Sequence, residues 1–494
     1  MKSLWSRYRK DPQGSNGLNP IPFWLKTVII VAPQSTICLR SSTNEKGMQA
    51  KIKQHLQNQH RPLKEAIKDV VRIPSVIEEG GAGFTFGKGV DDALRTTLQI
   101  AERLGFQTKY GDEGYYGYAQ IGQGQDLVAV LGHLDVVPAG ELDTWNTAPF
   151  DPVERDGKIY GRGAQDDKGP TLAAMFAAKA LMDAGVDFNR RLRFIFGTDE
   201  ESLWRGVKRY LEREERPSMG FTPDSKFPLT YAEKGLLEFY LEGSNEGNLV
   251  LKGGSAFNAV PDSIVYGGER KDELAAKLEE LGYDHERVDG GIKVLGKAAH
   301  ASVAETGINA IARLCIALQA IGLESKVIRF VAQEVGEDPF ATDIFGECAD
   351  VTSGRLKLNV GKIDIGQKEQ LSVDIRSPVT VPKEEIVEKL ITVAREYGLA
   401  YREYDWIAPK YMPLDHSLIE TLMKVYREVT RDTESEPESL GGATFARSIE
   451  NCVAFGPILP GRFSVAHQPN EYVVLEDLYV ATEVYAYAIY ELTR

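Results

Sequence analysis

Cysteine is scarce in this sequence. Four cysteines are spread over 494 residues, and no two of them form a CxxC pair. Because zinc fingers and disulfide frameworks both need cysteines at short, regular spacings, the sequence predicts neither kind of site. We expect reduced thiols and a cytoplasmic protein. The cysteines are Cys38, Cys315, Cys348 and Cys452.

Excess positive charge is missing as well. The sequence has 58 Lys and Arg against 72 Asp and Glu, which gives a formal net charge of −14. This balance disfavours binding to phosphate backbones and to anionic membranes, so we expect neither nucleic acid nor a membrane as a partner. Hydrophobic residues make up 43% and charged residues 26%, as in an ordinary soluble globular protein.

The first 47 residues differ from the remainder. They hold seven Lys or Arg but only Asp11 and Glu45 as acids. An apolar stretch, roughly residues 23–32, is interrupted by Lys26 and is shorter than the about 20 residues that a membrane-spanning helix needs. It also lacks the apolar core and cleavage site of a secretory signal. We predict that residues 1–47 are a disordered extension or follow from a start assigned too early, with Met48 as the alternative start. A targeting role is the remaining alternative.

The length and the hydrophobic pattern together indicate more than one domain. A chain of this length is too long for a single hydrophobic core. From about residue 54, apolar strands alternate with helical segments, and one helix is predicted to end at Gly105. Between residues 231 and 407 the pattern changes to several strands and two helices. We predict an α/β catalytic domain, a mixed β-sheet flanked by helices, over residues 48–232 and 408–494. An α+β lid domain is predicted to be inserted at residues 233–407.

Polar side chains follow two predicted strands of the catalytic domain. The segment DLVAVLGHLDVV predicts a buried strand that ends at His133 and Asp135, and RLRFIFGTDEES predicts another that ends at Glu200 and Glu201. Between them, GRGAQDDKG predicts a turn before a helix that starts near Pro170. Open α/β sheets place their sites at the carboxyl ends of strands, so we expect these side chains to lie close together.

Each of these motifs alone has a more common structural explanation. The HLD segment can be a hydrogen-bonded core histidine beside a turn carboxylate. The two aspartates of QDDKG can cap the following helix. Glu200 and Glu201 can form a solvated acidic turn, and Asp224 can be a turn residue after Pro223. A functional interpretation therefore depends on the whole set.

Taken in order along the chain, seven residues predict a dinuclear metal centre with a catalytic base. Two cations about 3.5–4 Å apart, bridged by a carboxylate and accompanied by a spare carboxylate, can split an amide with water. Adjacent carboxylates repel, so a metal would relieve one of the two glutamates and leave the other with a raised pKa. The seven residues are His133, Asp135, Asp166, Glu200, Glu201, Asp224 and His467.

These fragments together resemble the M20 family of zinc peptidases, and within it the bacterial dipeptidase V-like subgroup. The resemblance runs from about residue 54 to the end and is carried by GHLDVVPAG, WNTAPFDPVERDGKIYGRGAQDDKG, TDEES and FTPDSKFP. It implies two Zn²⁺ per subunit, with Mn²⁺ or Co²⁺ as possible substitutes. It also implies a cis peptide bond between Asp166 and Asp167.

The resemblance assigns a role to each residue of the metal centre. Asp166 would bridge the two ions, with His133 and Asp224 completing one site and Glu201 and His467 completing the other. Glu200 would be the general base, and Asp135 would orient His133.

The resemblance extends into the predicted lid domain. GKAAHAS implies that His300 stabilises the oxyanion, and NAVPDS implies Asn258 as a second donor. DIRSP implies that Arg376 binds the substrate carboxylate, although the residues alone favour a pair between Arg376 and Asp374 on the same strand face. GGATFAR implies Gly442 and Arg447 near the substrate terminus.

The expected function is a dinuclear zinc dipeptidase that hydrolyses short peptides with a free N-terminus. One alternative is an N-acyl-amino-acid deacylase with the same metal centre, and another is a catalytically inactive binding homologue. The predicted insert of about 175 residues resembles an enlarged lid that replaces a partner's lid, which implies a monomer.

Overall fold

A computed structural model describes residues 43–79 and 83–494. The predicted extension over residues 1–47 lies outside the described residues, apart from its last five, which begin the first helix. Residues 48–494 form one compact unit.

The helices are distributed over the whole described chain. They are α1 (Thr43–Val71), α2 (Lys88–Leu104), α3 (Lys168–Ala184), α4 (Arg205–Arg213), α5 (Lys271–Glu280), α6 (Ala310–Ala320), α7 (Lys326–Phe330), α8 (Thr342–Phe345), α9 (Lys383–Glu396), α10 (Ser417–Thr430) and α11 (Leu475–Thr493).

The strands fall into three runs along the chain. The first run is β1 (Gln107–Gly111), β2 (Tyr116–Ile121), β3 (Leu127–His133), β4 (Val153–Arg155), β5 (Lys158–Tyr160), β6 (Arg191–Gly197), β7 (Met219–Thr222), β8 (Ser225–Lys226) and β9 (Thr230–Glu233). The second run is β10 (Gly235–Ser244), β11 (Leu251–Gly253), β12 (Ala259–Val260), β13 (Ser263–Tyr266), β14 (His285–Val288), β15 (Gly291–Leu295), β16 (Ala299–His300), β17 (Ala349–Asp350), β18 (Gly354–Arg355), β19 (Lys357–Ile365), β20 (Lys368–Ser377) and β21 (Ala400–Ile407). The third run is β22 (Lys410–Tyr411), β23 (Glu438–Leu440), β24 (Cys452–Ala454), β25 (Pro457–Ile458) and β26 (Tyr472–Val474).

A mixed nine-stranded sheet forms the first part of the fold. Its strand order is β1-β2-β6-β3-β7-β24-β9-β22, with β23 also paired to β9. The central strands β6, β3 and β7 are parallel to one another. Strand β3 is buried along its whole length, as expected for a parallel strand covered on both faces.

Helices cover this sheet and complete its hydrophobic core. Side chains of α1, α2, α3, α10 and α11 share one apolar cluster with the strands. Helix α3 is rich in alanine, and five of its alanines, Ala173, Ala174, Ala177, Ala178 and Ala180, have no exposed surface. These small side chains suit its packing against α11.

A second sheet with its own core lies between β9 and β22 in the chain. This antiparallel sheet has the order β11-β19-β20-β10-β21, and its apolar cluster draws only on residues 237–399. Lys234 alone separates β9 in the first sheet from β10 in the second. We call residues 233–407 the inserted region; its division from the rest as a separate lid domain stays a prediction.

The local predictions differ from the structure at one helix start and in the number of helices between residues 231 and 407. Two helices were predicted there and the structure has five, because α5, α7 and α8 have ten residues or fewer and show little periodicity. Gly105 ends α2 in the left-handed conformation with φ 97°, as predicted. Helix α3 starts at Lys168 rather than at Pro170, because Pro170 is still in the first turn, where its missing N–H is not needed. Among the helices of the described residues, none combines the length and the hydropathy that crossing a bilayer requires.

Candidate metal centre and substrate cleft

The ends of the three central parallel strands supply four of the predicted metal-centre residues. His133 is the last residue of β3, Glu200 and Glu201 follow β6, and Asp224 follows β7. Because neighbouring parallel strands end at the same edge of a sheet, these side chains converge. Gly132 permits the approach of α3 to this edge, since a Cβ there would lie 1.7 Å from Thr171 Oγ1.

Asp166 lies between two histidines that are far apart in the sequence. Its Oδ1 is 2.9 Å from His133 Nε2, and its Oδ2 is 3.1 Å from His467 Nε2. The same His467 nitrogen is 3.0 Å from Glu201 Oε1. The Asp166–Asp167 peptide bond is cis, as the family resemblance implies. The two oxygens of one carboxylate thus face two different histidines.

Two groups of possible ligand atoms share His133. One atom each of His133, Asp166 and Glu201 lie within 4.8 Å of one another, and the same holds for His133, Glu200 and Asp224. His133 Nε2 is 3.9 Å from Asp224 Oδ2. Imidazole nitrogen and carboxylate oxygen are the donors that zinc accepts in mononuclear and dinuclear sites.

The His133 ring is held in one tautomer by the backbone. Its Nδ1 lies 3.0 Å from the carbonyl oxygen of Asp135 and therefore donates its proton there. The other ring nitrogen, Nε2, faces Asp166 Oδ1 at 2.9 Å. The Asp135 carboxylate is 3.7 Å from the ring and instead accepts the backbone N–H groups of Glu200 and Glu201 at 3.1 and 3.0 Å. Asp135 thus contacts the residues at the ends of both β3 and β6. Its carbonyl oxygen lies closer to the His133 ring than its carboxylate does, so the carbonyl group is the part of Asp135 that is placed for the predicted orienting role.

The charge of this cluster is unbalanced without a cation. Burial raises the pKa of Glu200 and of Asp224 well above their ordinary values, and repulsion by other carboxylates of the cluster contributes to both shifts. Burial also raises the pKa of Glu201. Burial lowers the pKa of His467, but its contacts with Asp166 and Glu201 outweigh this effect and raise it to about 11. Without a cation, several of these crowded carboxyl groups would bind protons. Such a group of carboxylates is suited to bind divalent cations.

A buried network that the sequence did not predict fixes the turn carrying Asp166. Glu471 accepts the backbone N–H groups of Gln165 at 2.9 Å and Asp166 at 3.2 Å, and its other oxygen pairs with Arg162 at 2.6 Å. Glu471 and Arg162 are 0% and 2% exposed. Arg162 lies four residues before Asp166 and Glu471 four residues after His467, so proximity to predicted ligands in the sequence was the available signal.

Gln165 connects this turn to the loop of His467. Its side-chain Oε1 accepts the backbone N–H groups of Val465 at 2.7 Å and Ala466 at 3.1 Å. Asp166 and His467, about 300 residues apart in the chain, are thereby placed by one continuous set of hydrogen bonds.

A cleft of about 1040 Å³ lies over the metal-centre residues and is closed on its other side by the inserted region. Asp166, Glu200, Glu201, Asp224 and His467 line it from the first sheet. The predicted residues His300, Asn258 and Arg376 line it from the inserted region, together with Gly442 from the loop after β23.

His300 and Asn258 are held next to each other by a short sheet. Strand β16, which ends at His300, pairs with β12, and Ala301 N–H donates to Asn258 O at 2.8 Å. Ser302 N–H donates to His300 Nδ1 at 3.2 Å, so the proton of the neutral ring is on Nε2. The ring is exposed to the cleft yet surrounded by protein, and this burial lowers its pKa to about 4, with the charge of Arg376 adding to the effect.

Arg376 carries the pair that the residues alone predicted. Its Nε and Nη2 each lie 2.8 Å from an oxygen of Asp374. Its Nη1 donates to Gly441 O at 3.2 Å across the cleft. Gly441 also allows close contact with the inserted region, since a Cβ there would lie 2.9 Å from Ser302 Cβ.

Arg447 lies behind the cleft wall rather than on it. Its guanidinium pairs with Glu233 at 2.6 Å and donates to the carbonyl groups of Ala408 at 2.7 Å, Gly442 at 2.7 Å and Lys234. Lys234 and Ala408 are the two points where the chain passes between the sheets. These contacts favour a positioning role, and the direct substrate contact of Arg447 stays a prediction.

Comparisons with known proteins agree with this geometry. The sequence profile of "Peptidase family M20/M25/M40" matches residues 129–491. The chain is 38% identical over 454 residues to "Putative dipeptidase YtjP" of Bacillus subtilis, covering 86% of this chain and 96% of that protein. It is 33% identical over 475 residues to a Staphylococcus aureus protein of similar description, covering 89% and 99%.

Solved structures share the fold at low sequence identity. Human carnosine dipeptidase 1 matches with a TM-score of 0.56 and 18% identity, over 90% of this chain and 99% of that one. The M20 family metallo-carboxypeptidase Sso-CP2 of Sulfolobus solfataricus matches with a TM-score of 0.55 and 17% identity, over 87% and 98%. The profile match covers more than half of the chain, and with it the predicted fold is confirmed: the chain belongs to peptidase family M20/M25/M40 and is a peptide hydrolase.

Proposed function

We propose that this protein is a dinuclear zinc dipeptidase that cleaves short peptides with a free N-terminus. The observation that carries the proposal is the position of Asp166, whose two oxygens lie 2.9 and 3.1 Å from the Nε2 atoms of His133 and His467. His133, Asp166 and Asp224 would hold one ion, and Asp166, Glu201 and His467 would hold the other. When bound, two such ions activate water and polarise the scissile carbonyl group.

Glu200 is the proposed general base. Glu200 and Glu201 both line the cleft, but Glu201 is engaged by His467, whereas Glu200 forms no ion pair among the described residues. A carboxyl group with a raised pKa is suited to accept a proton from water and to return it to the leaving amine. The Asp135 carboxylate supports this position by accepting the Glu200 backbone N–H.

The inserted region would bind the substrate at two places, the scissile carbonyl group and the C-terminal carboxylate. Neutral His300 presents Nε2–H to the cleft and would donate it to the carbonyl oxygen as negative charge develops. Asn258 lies beside it as a second donor. Arg376 would bind the substrate carboxylate through the N–H groups that do not contact Asp374 or Gly441. Gly442 would lie beside the same carboxylate.

We further propose a cytoplasmic monomer. His300 reaches the cleft from the same chain that supplies the metal-centre residues, so this arrangement needs no second copy. Cys315, Cys348 and Cys452 are unpaired in the described part of the chain, which is compatible with a reducing compartment.

A substrate panel with and without a chelator tests the proposal. The panel contains Leu-Leu and β-alanyl-histidine as free dipeptides, and N-acetyl and N-succinyl amino acids. We expect chelator-sensitive cleavage of the free dipeptides that Zn²⁺ or Mn²⁺ restores. Cleavage of only the N-acylated compounds would favour the deacylase alternative, and two bound metals with no turnover would favour the inactive binding homologue.

A further inference from the structure

An aromatic wall lines the cleft in the inserted region. Phe257 stacks on Tyr404 with ring centroids 5.0 Å apart and an interplanar angle of 16°. Tyr240 packs edge-on against both rings, at 5.2 and 5.7 Å. All three side chains line the same cleft as the metal centre, and Tyr404 is 53% exposed. An exposed group of three rings inside a substrate cleft offers its faces to a ligand.

Two carboxylates share this part of the cleft with the rings. Glu238 on β10 stands directly across from Asp405 on β21 and from Asp374 on β20. Asp374 is neutralised by its two contacts with Arg376. Within the described chain, Glu238 and Asp405 have no ion pair within 4.0 Å, and both line the cleft.

Of the nearby cations, Arg402 is paired with another acid, whereas Lys362 lines the same cleft as Glu238. Arg402 makes two contacts with Glu242, at 2.8 and 3.1 Å, while its guanidinium covers Tyr240. Lys362 lies 5.9 Å from the centroid of the Phe257 ring and forms no ion pair in the described residues. Burial, followed by the charge of Asp374, raises the pKa of Glu238 to about 7. A cation entering from the cleft would relieve this excess of negative charge.

The place of these groups relative to Arg376 indicates which part of a substrate they meet. Arg376 stands directly across from Leu236, so Glu238 is its diagonal neighbour, roughly 7–8 Å away. If Arg376 holds the C-terminal carboxylate, the side chain of the same substrate residue extends over Glu238 and the aromatic wall. This step rests on the proposed dipeptidase function.

We propose that Glu238 and Asp405, with the wall formed by Tyr240, Phe257 and Tyr404, bind a positively charged side chain on the C-terminal residue of the substrate. The carboxylates supply charge and acceptors for an ammonium or guanidinium group. The rings supply faces for a cation–π contact, which an anionic or neutral polar side chain cannot make. Dipeptides ending in Arg or Lys are therefore the preferred substrates.

The test compares Ala-Arg with Ala-citrulline, which has nearly the same shape but no charge. We expect kcat/KM of the parent protein to be about tenfold or more higher for Ala-Arg, the size expected for a hydrogen bond to a charged group. Glu238→Gln should lower kcat/KM for Ala-Arg more than for Ala-citrulline and so remove most of this preference. Asp364→Asn is the matched control, because Asp364 is an exposed acid of the same region that pairs with Lys252 outside the cleft.

The outcomes separate this inference from the proposed function. Chelator-sensitive cleavage of both dipeptides at equal kcat/KM, or a preference that survives both Glu238→Gln and Asp405→Asn, would overturn the cationic subsite and leave the dipeptidase function standing. No chelator-sensitive cleavage of these dipeptides or of Leu-Leu would overturn the proposed function and this inference with it. Thermal unfolding of each variant confirms that it folds.

Discussion

The two sides of the cleft are built differently. On the first sheet, the metal-centre residues contact one another directly, and Glu471 and Arg162 fix their loops from inside the protein. In the inserted region, His300, Glu238 and the aromatic wall each have separate supports and face a wide space. The side chains of the first arrangement depend on one another and are suited to a single reaction. Each side chain of the second arrangement could be replaced without disturbing the others. We call the metal-centre residues and their supports the metal side of the cleft, and the residues of the inserted region the inserted side. We therefore expect substitutions on the metal side to change the turnover of every substrate, and substitutions on the inserted side to change the turnover of some substrates more than others.

The largest expected effect is on the metal side, at Glu200. Glu200→Gln should lower kcat by about 10²–10⁴-fold for every substrate, the usual contribution of a general base, and leave two metal ions bound. Turnover and metal content by elemental analysis would be measured on the same sample, with exposed Glu212→Gln as a control. Loss of metal would instead mean that Glu200 is a ligand and that its role has been exchanged with that of Glu201.

The next effect tests whether the buried network belongs to the metal side. Glu471→Gln removes the charge that pairs with Arg162 and weakens the hold on the Asp166 turn. We expect metal affinity to fall by about 10–100-fold, as for other groups that orient metal ligands. Zn²⁺ titration of the metal-free protein gives the affinity. If the variant folds normally and binds Zn²⁺ as tightly as the parent protein, Glu471 does not support the metal centre.

A change at His300 tests the contribution of the inserted region to chemistry. His300→Ala removes the proposed Nε2–H donor and should lower kcat by about 10²–10³-fold without loss of zinc. The pKa of His300, lowered to about 4, also predicts that this donor stays neutral from pH 5 upward, so it adds no acidic limb to the kcat profile there. An unchanged kcat would exclude His300 from the oxyanion site.

The smallest expected effect is a pH dependence of substrate preference. Glu238 has a pKa raised to about 7, so it is mostly protonated at pH 6 and mostly charged at pH 8. The ratio of kcat/KM for Ala-Arg to that for Ala-citrulline should therefore rise by a few fold from pH 6 to pH 8, and Glu238→Gln should flatten it. A ratio that falls over this range would contradict the assignment. The charged groups that face Glu238 are Asp374 and Arg376 on β20, Asp405 on β21 and Lys362 on β19.

The sequence predicted the metal side of the cleft better than its supports. His133 and Glu200 could be placed because each stands at or just after the end of a continuous apolar run that predicts a buried strand, and neighbouring parallel strands end at the same edge. Asp166 and His467 needed the family resemblance, since no local pattern connects a turn and a loop so far apart in the chain. The Glu471 network depends on tertiary burial, which the spacing of residues does not encode.

The inserted region was predicted only in outline. Periodicity predicted several strands and two of the five helices, α6 and α9. The row of Glu238, Asp374 and Asp405 depends on strand register between segments that are distant in the chain. Arg447 shows the same limit: the motif gave a residue near the substrate, whereas the structure places its guanidinium on the two connections between the sheets.

The most direct test of a dinuclear hydrolase is a stoichiometric titration. Metal-free protein would receive Zn²⁺ in steps while binding is followed by calorimetry and Leu-Leu hydrolysis is followed in parallel. The position of Asp166 between His133 and His467 predicts two ions per chain, with hydrolysis reaching its plateau at the second equivalent. Full activity at one equivalent, or hydrolysis that ignores the metal, would contradict the account.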